Sequence, residues 1–204
     1  MVCLVLSFSA NTQTRYHVST TGTFGGDAHS WTTACNDLQL VINNAQKGDT
    51  IWVAQGTYLP NRPANNLNSI VPNDRYNAFT IKKGLYLYGG FTGTETDLSQ
   101  RPQFPDQGNN GLTTLSGNIG NPNDSLDNAY HVVLVLTQQD TVLFDGFTIT
   151  ESYGEHVIPW IGDFFLHGNL IPKYVGGGIF CIGTTLILNH TTVSKNLINR
   201  LSKF

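Results

Sequence analysis

Thr141-Val-Leu-Phe-Asp-Gly-Phe-Thr-Ile-Thr150 and Thr185-Leu-Ile-Leu-Asn-His-Thr-Thr-Val-Ser194 align without a gap, 44 positions apart. Aliphatic or aromatic residues coincide at Val142/Leu186, Leu143/Ile187, Phe144/Leu188 and Ile149/Val193, and Asp145 faces Asn189. Each copy follows a strand-like run, Tyr130 to Leu136 in the first and Gly176 to Cys181 in the second. A strand, a turn, a strand, an Asx bend and a further strand make one layer of a β-solenoid, whose apolar faces are buried only by stacked neighbours. Solenoid repeats usually run about 20–30 residues, so the excess is assigned to Glu151–Val175, expected to protrude as a loop. Asp145 and Asn189, at matched places in the repeat, are expected to form a ladder of Asx side chains bonding backbone groups between layers.

Working outward from the repeat, short β runs bounded by Gly, Asn or Asp recur at 78–81, 85–88 and 113–116, and another runs from Asp49 to Ala54. Such spacing argues for a sandwich, a barrel or a solenoid, and the repeat favours the last. Only Asp37–Lys47 reads as a helix: Leu38, Val41, Ile42 and Ala45 fall at i, i+3, i+4 and i+7. Asn36 or Asp37 can cap its start, and Lys47-Gly48 suits its end. One amphipathic helix leading into a β chain is expected to cover the end of the sheet stack, hiding a strand edge that would recruit other strands.

Composition agrees. Gly (21), Thr (23) and Asn (20) make up 64 of the 204 residues, and all three rank low in helix propensity. The formal charge of −3 gives no broad basic surface for phosphate backbones, so no nucleic-acid partner is expected. No run of 18 apolar residues exists, so no helical membrane span is expected. Cys3, Cys35 and Cys181 are too few for a disulfide framework or a zinc knuckle; a Cys35–Cys181 bridge stays open. Residues 1–14, with apolar Val2–Leu6 before small Ser7 and Ser9, resemble the back half of a secretory signal peptide. Their other reading is a first strand, or a helix over one end of the core.

Three groups of residues are candidates for chemistry. The 151–175 segment carries Tyr153, Trp160 and Tyr174 beside Glu155 and Asp163; aromatic faces next to acidic groups stack on and hydrogen-bond sugars. The bland alternative is that the segment's aromatics pack it onto the body. Asn118–Asn128 concentrates Asn121, Asp124 and Asp127, an oxygen-rich loop of the kind that takes calcium, although Asn, Asp, Pro and Gly are also ordinary turn residues. A lyase would need a base beside a calcium-bound carboxylate, and a glycosidase a carboxylate pair. The bases on offer are Arg75, Lys82 and Lys83, and the chain holds only Glu95, Glu151 and Glu155 as glutamates. No catalytic motif is matched residue by residue, so the catalytic residues are unassigned.

A resemblance sharpens this reading. Tyr16-His-Val-Ser-Thr-Thr-Gly, Ser30-Trp31, Asp37-Leu-Gln, Gly48-Asp-Thr-Ile-Trp-Val-Ala, Gly56-Thr-Tyr and Pro60 resemble the opening of secreted right-handed parallel β-helix proteins, a pattern shared by pectate-lyase-like folds and large surface proteins of Bacteroidetes-type bacteria. Phe79-Thr-Ile-Lys-Lys-Gly-Leu-Tyr-Leu-Tyr-Gly-Gly-Phe-Thr-Gly-Thr-Glu-Thr, Leu115-Ser-Gly-Asn-Ile-Gly, Asp145-Gly-Phe-Thr-Ile-Thr and Gly176-Gly-Gly-Ile are similar to the surface-protein branch. The resemblance covers residues 15 to 196. It implies an all-β chain, a right-handed parallel β-helix (solenoid) with a short N-terminal capping helix, forming one domain over 15–204. It also implies a secreted or cell-surface, non-catalytic domain for adhesion or glycan contact, with a polysaccharide lyase or glycoside hydrolase as the alternative. Relatives of this kind run through more coils and often end in a sorting domain, so the chain is read either as complete, with an open end that invites self-association, or as a fragment of a longer surface protein.

Overall fold

The computed structural model describes residues 13–102, 113–156, 163–166, 168–173, 175 and 177–200; residues 1–12 of the expected leader, Trp160 and Tyr174 lie outside these. The chain runs through β1 (Arg15–Thr23), α1 (Leu38–Asn44), β2 (Thr50–Ala54), β3 (Gly56–Tyr58), β4 (Phe79–Ile81), β5 (Tyr86–Phe91), β6 (Thr113–Ser116), β7 (Val133–Leu136), β8 (Thr141–Asp145) and β9 (Thr148–Thr150). It continues through β10 (Tyr153–His156), β11 (Phe164–Leu166), β12 (Asn169–Ile171), β13 (Ile179–Ile182), β14 (Thr185–Asn189), β15 (Thr192–Ser194) and β16 (Leu197–Arg200). The fold is all-β, with α1 as the single α-helix among the described residues.

Three sheets are parallel throughout: β1-β2-β5-β8-β14, β3-β6-β9-β15 and β4-β7-β13. A parallel β10-β16 pair and an antiparallel β11-β12 hairpin complete the set. Apart from β1 and β2, which α1 separates, no strand in the three parallel sheets pairs with its immediate successor strand, so each sheet is built from successive passes of the backbone. The last two passes, β7 to β10 and β13 to β16, visit the same four sheets in the same order. Thr141 pairs with Thr185, Phe144 with Leu188 and Ile149 with Val193, so the 44-position alignment of the sequence is the pairing register. Between β8 and β9, and again between β14 and β15, the chain bends; Gly146 takes φ 84° at the first bend, a left-handed conformation that glycine adopts without a Cβ penalty.

Period-2 alternation sends one set of side chains inward from each sheet. Ile51, Leu87 and Phe144 stack in register, as do Phe79 with Val133 and Tyr58 with Leu115 and Ile149. All are buried, and together they form the main core. Leu38, Val41 and Ile42 of α1 join it. The helix lies against β1 and β4, which stand at the margins of their sheets opposite β14 and β13.

α1 is shorter than the expected 37–47. Asp37 is its N-cap, its carboxylate accepting from the Leu40 N–H at 2.8 Å. The helix stops at Asn44 because Asp49 captures the residues after it: the Asp49 carboxylate accepts the N–H groups of Gln46 (2.7 Å) and Thr14 (2.8 Å), drawing 46–49 into a turn. Cys35 and Cys181 are free thiols, one buried and one exposed.

His131, 2% exposed, lies just before β7 with its ring edge-on to Phe180 and its Nε2 2.9 Å from the Val175 carbonyl oxygen. Burial pushes its pKa down from the ordinary 6.5 to about 4, against the opposing effect of carbonyl partners. The unfolded chain therefore binds a proton that the native chain refuses between these two values. The contribution to stability is complete above pH 6.5 and is lost as the pH falls toward 4, a change of about 3 kcal/mol. Urea denaturation at pH 7 and pH 4.5 measures it, and His131→Leu is expected to flatten the pH dependence by a comparable amount. An unchanged slope in that variant would remove His131 as its source.

Candidate functional site

Two of the expected ligand-binding residues, Tyr153 and Glu155, converge on Arg75, and a third, Asp163, is tied to the neighbouring Lys173. Tyr153 and Glu155 are two apart on β10; Arg75 comes from the connection between β3 and β4. Its Nη1 pairs with the Glu155 carboxylate, Nη2 donates to the Tyr153 carbonyl oxygen (2.8 Å) and Nε donates to that of Asn128 (2.8 Å). The guanidinium lies 4.1 Å over the Tyr130 ring and 5.9 Å from that of Tyr153. Tyr76 meets Tyr130 edge-on at 5.1 Å, and the Lys173 Nζ is 5.3 Å from the Tyr130 centroid. The Asp163 carboxylate accepts the Lys173 N–H at 3.3 Å. These groups satisfy one another, so the cluster acts as a clasp that fixes β10 and the β12–β13 connection to the body. Burial raises the hydroxyl pKa values of Tyr76 and Tyr130.

The 118–128 loop uses its carboxylates locally. Asp124 accepts from the Leu126 N–H at 2.9 Å, as the cap of a single-turn 3-10 helix. Asp127 accepts from the Asn121 N–H at 2.7 Å, and the Asn121 side chain accepts from the Asn123 N–H at 3.1 Å. Among the described residues no three His, Cys, Asp or Glu side chains gather as a metal site. The expected Asx ladder also takes a different form. Asp145 and Asn189 are paired in register, but the Asp145 carboxylate accepts from Arg101 Nη2 (3.0 Å) and contacts His190 Nδ1 (3.1 Å). Arg101 and His190 take the place of backbone groups because both reach this oxygen from neighbouring connections.

The feature missed in the sequence lies on the outward face of the five-stranded sheet. His17, Trp52, Tyr88, Asp145 and Asn189 occupy one register position across all five strands. Trp52 stacks on Phe91 with centroids 4.4 Å apart, and the Arg15 guanidinium lies 4.1 Å from its ring. The connection after β5 folds over this face. Trp31 Nε1 donates to the Glu95 carbonyl oxygen at 2.8 Å, while the Glu95 carboxylate accepts N–H groups from Thr92, Gly93 and Thr94 at 2.7–3.0 Å. Burial alone would raise the Glu95 pKa, but the hydrogen bonds from Thr92 and Thr94 outweigh it and hold the carboxyl below its ordinary value.

Between this connection and the sheet opens a groove of about 490 Å³, lined by Arg15, Thr50, Trp52, Tyr88 and Leu98. A neighbouring depression of about 330 Å³, lined by Lys47, Asp49 and Tyr86, shares Gln13 and Thr14 with it. Aromatic edges, an exposed guanidinium and threonine hydroxyls suit a ligand with an apolar ring face and polar edges, as a sugar has. Burial, followed by the nearby Asp145 charge, raises the Tyr88 hydroxyl pKa, so this hydroxyl stays protonated and able to donate at neutral pH. A trace was present in the sequence: Trp52 and Tyr88 sit on neighbouring, paired strands, but 36 positions apart rather than 44.

Of the expected bases, Arg75 is held in the clasp, and Lys83 Nζ donates to the carbonyl oxygens of Asn43 and Ala45 at the end of α1. Lys82 is exposed. Comparison with protein families, with curated proteins and with solved structures finds no match to this chain.

Proposed function

We propose that this chain is a right-handed parallel β-helix domain of the secreted, pectate-lyase-like kind, exposed at a cell surface, that contacts glycans without cleaving them. Three parallel sheets assembled from successive passes, with side chains stacked in register, support the β-helix reading, and the hand is the one parallel crossovers strongly prefer. The observation that carries the glycan reading is the groove beside Arg15, Trp52 and Tyr88. The engagement of Arg75 and Lys83 in structural contacts favours binding over lyase chemistry. A glycan-array screen of the 204-residue chain, with and without calcium, tests the reading. Binding is expected, with Arg15→Ala and Tyr88→Ala each weakening it about tenfold, or about 1.4 kcal/mol, at unchanged thermal stability. Absence of binding overturns the reading. Binding untouched by both variants moves the contact elsewhere, with Trp160→Ala the next variant. Release of unsaturated sugar ends replaces it with a lyase.

The same reading includes self-association. Ile187, Leu188 and Val193 are 40–46% exposed, whereas their pairing partners Leu143, Phe144 and Ile149 are buried. A layer of apolar side chains and unpaired strand edges at one end invites a second copy. α1 lies over strands at the other margin, which favours a closed end-to-end pair over an open filament. Among the described residues no helix is long and apolar enough to cross a membrane.

A further inference from the structure

A cleft of about 350 Å³ opens between residues 65–68 and the end of β4, beside the C-terminal turn of α1. That volume falls in the range of small-ligand sites, about 300–1,000 Å³. Its polar lining consists of Asn43, Asn65, Asn66, Asn68, Thr80 and the two lysines that follow β4, Lys82 and Lys83; it contains no carboxylate. Lys83 is committed to the carbonyl oxygens of Asn43 and Ala45 and so offsets the negative end of α1. Lys82 has no hydrogen-bond or ion-pair partner among the described residues. This sets it apart from Lys47, Arg62, Arg75 and Arg101, which are paired with Asp140, Asp37, Glu155 and Asp145. The side-chain amides of Asn65 and Asn68 likewise have no partner among the described residues, while that of Asn66 donates to Ser69 Oγ at 3.0 Å. Partial loss of water draws the pKa of both lysines below the ordinary value, although Lys82 remains exposed and open to a ligand from solvent.

We propose that this cleft binds a tetrahedral oxyanion, the sulfate or phosphate group of a small ester, with Lys82 as counter-charge and the amides of Asn65 and Asn68 as additional donors. Two ammonium groups with no carboxylate exclude a cation as the natural occupant. The donors are single points supplied by two separate segments, with no guanidinium fork among them. A tetrahedral oxyanion presents three acceptor oxygens in different directions and accepts from separated point donors such as a lysine ammonium, whereas a carboxylate presents two oxygens in one plane. The site shares no lining residue with the groove at Trp52, so the two stand or fall separately.

Calorimetric titration of the 204-residue chain tests this with inorganic sulfate, inorganic phosphate, glucose 6-sulfate, glucose 6-phosphate, acetate and glucose as probes. At least one sulfate or phosphate species is expected to bind tenfold or more tightly than acetate and glucose, and to weaken as salt is added. The tighter of the two anion types identifies the source, and an inorganic ion that matches its ester shows that the oxyanion alone is read. Lys82→Met is expected to lower the affinity tenfold or more and Asn65→Ala/Asn68→Ala several-fold, while Lys195→Met, an exposed lysine outside the cleft, changes nothing. Equal binding of acetate or glucose overturns the proposal, as does full affinity in Lys82→Met.

Discussion

Replacing Asp37 by Ala is expected to lower the unfolding free energy by about 3–5 kcal/mol, the cost of leaving a buried charge without its partner. Asp37 and Arg62 are each 4% exposed, and Arg62 Nη1 lies 2.7 Å from both carboxylate oxygens. The same carboxylate caps α1 through the Leu40 N–H and accepts from Asn61 Nδ2 at 3.1 Å. One side chain thus ties the start of the helix to the connection between β3 and β4. Loss of the cap alone accounts for about 1 kcal/mol; the remainder comes from stranding Arg62 in a low-dielectric interior. Urea denaturation followed by circular dichroism measures the loss. A double variant, Asp37→Leu/Arg62→Met, carries no unpaired charge and is expected to regain much of the difference, because a buried pair is often no better than apolar side chains of similar volume. A loss below about 1 kcal/mol in Asp37→Ala would mean that solvent reaches this pair.

Physical spacing explains which parts of the fold were legible in the sequence. The match between 141–150 and 185–194 was readable because the links inside the two copies are equal: two residues join β8 to β9, and two join β14 to β15. Earlier passes do not share the offset. Thr50 pairs with Arg15 at 35 positions and with Tyr86 at 36, but Leu143 pairs with Tyr86 at 57. Excursions between β3 and β4 and between β5 and β6 change the interval on every pass, so a search at one fixed offset finds only the last pair. β1 escaped notice because its Thr- and Ser-rich residues are largely exposed beyond Val18, and β10, β11, β12 and β16 are only three or four residues long. For the site, the sequence suggested residues of the right type, and Tyr153, Glu155 and Asp163 do come together. Arg75, which holds Tyr153 and Glu155, lies about 80 positions away in a different connection. Its role depends on which loops the sheets bring together, which local pattern does not encode.

Phe144 and Leu188 occupy the same column of the five-stranded sheet, next to one another in register, yet one is fully buried and the other 42% exposed. If stacking of successive passes is what buries the core, the same truncation at these two positions must give different results. Phe144→Ala removes a ring lying between Leu87 and Leu188 and is expected to cost about 3–5 kcal/mol. Leu188→Ala, measured in dilute protein, is expected to cost less than about 1 kcal/mol, because little buried volume is lost. Similar costs at the two sites would contradict the register. Concentration then separates the fold from the association proposed for its open end. Sedimentation velocity from low micromolar to several hundred micromolar is expected to show a monomer passing into a dimer. Leu188→Asp is expected to abolish that passage, since a carboxylate placed in an apolar interface loses its water without gaining a partner. A wild-type chain that stays monomeric over the whole range would show that a row of exposed apolar side chains is insufficient to hold two copies together. The contrast between Phe144 and Leu188 would still stand, because it depends on how one chain stacks upon itself.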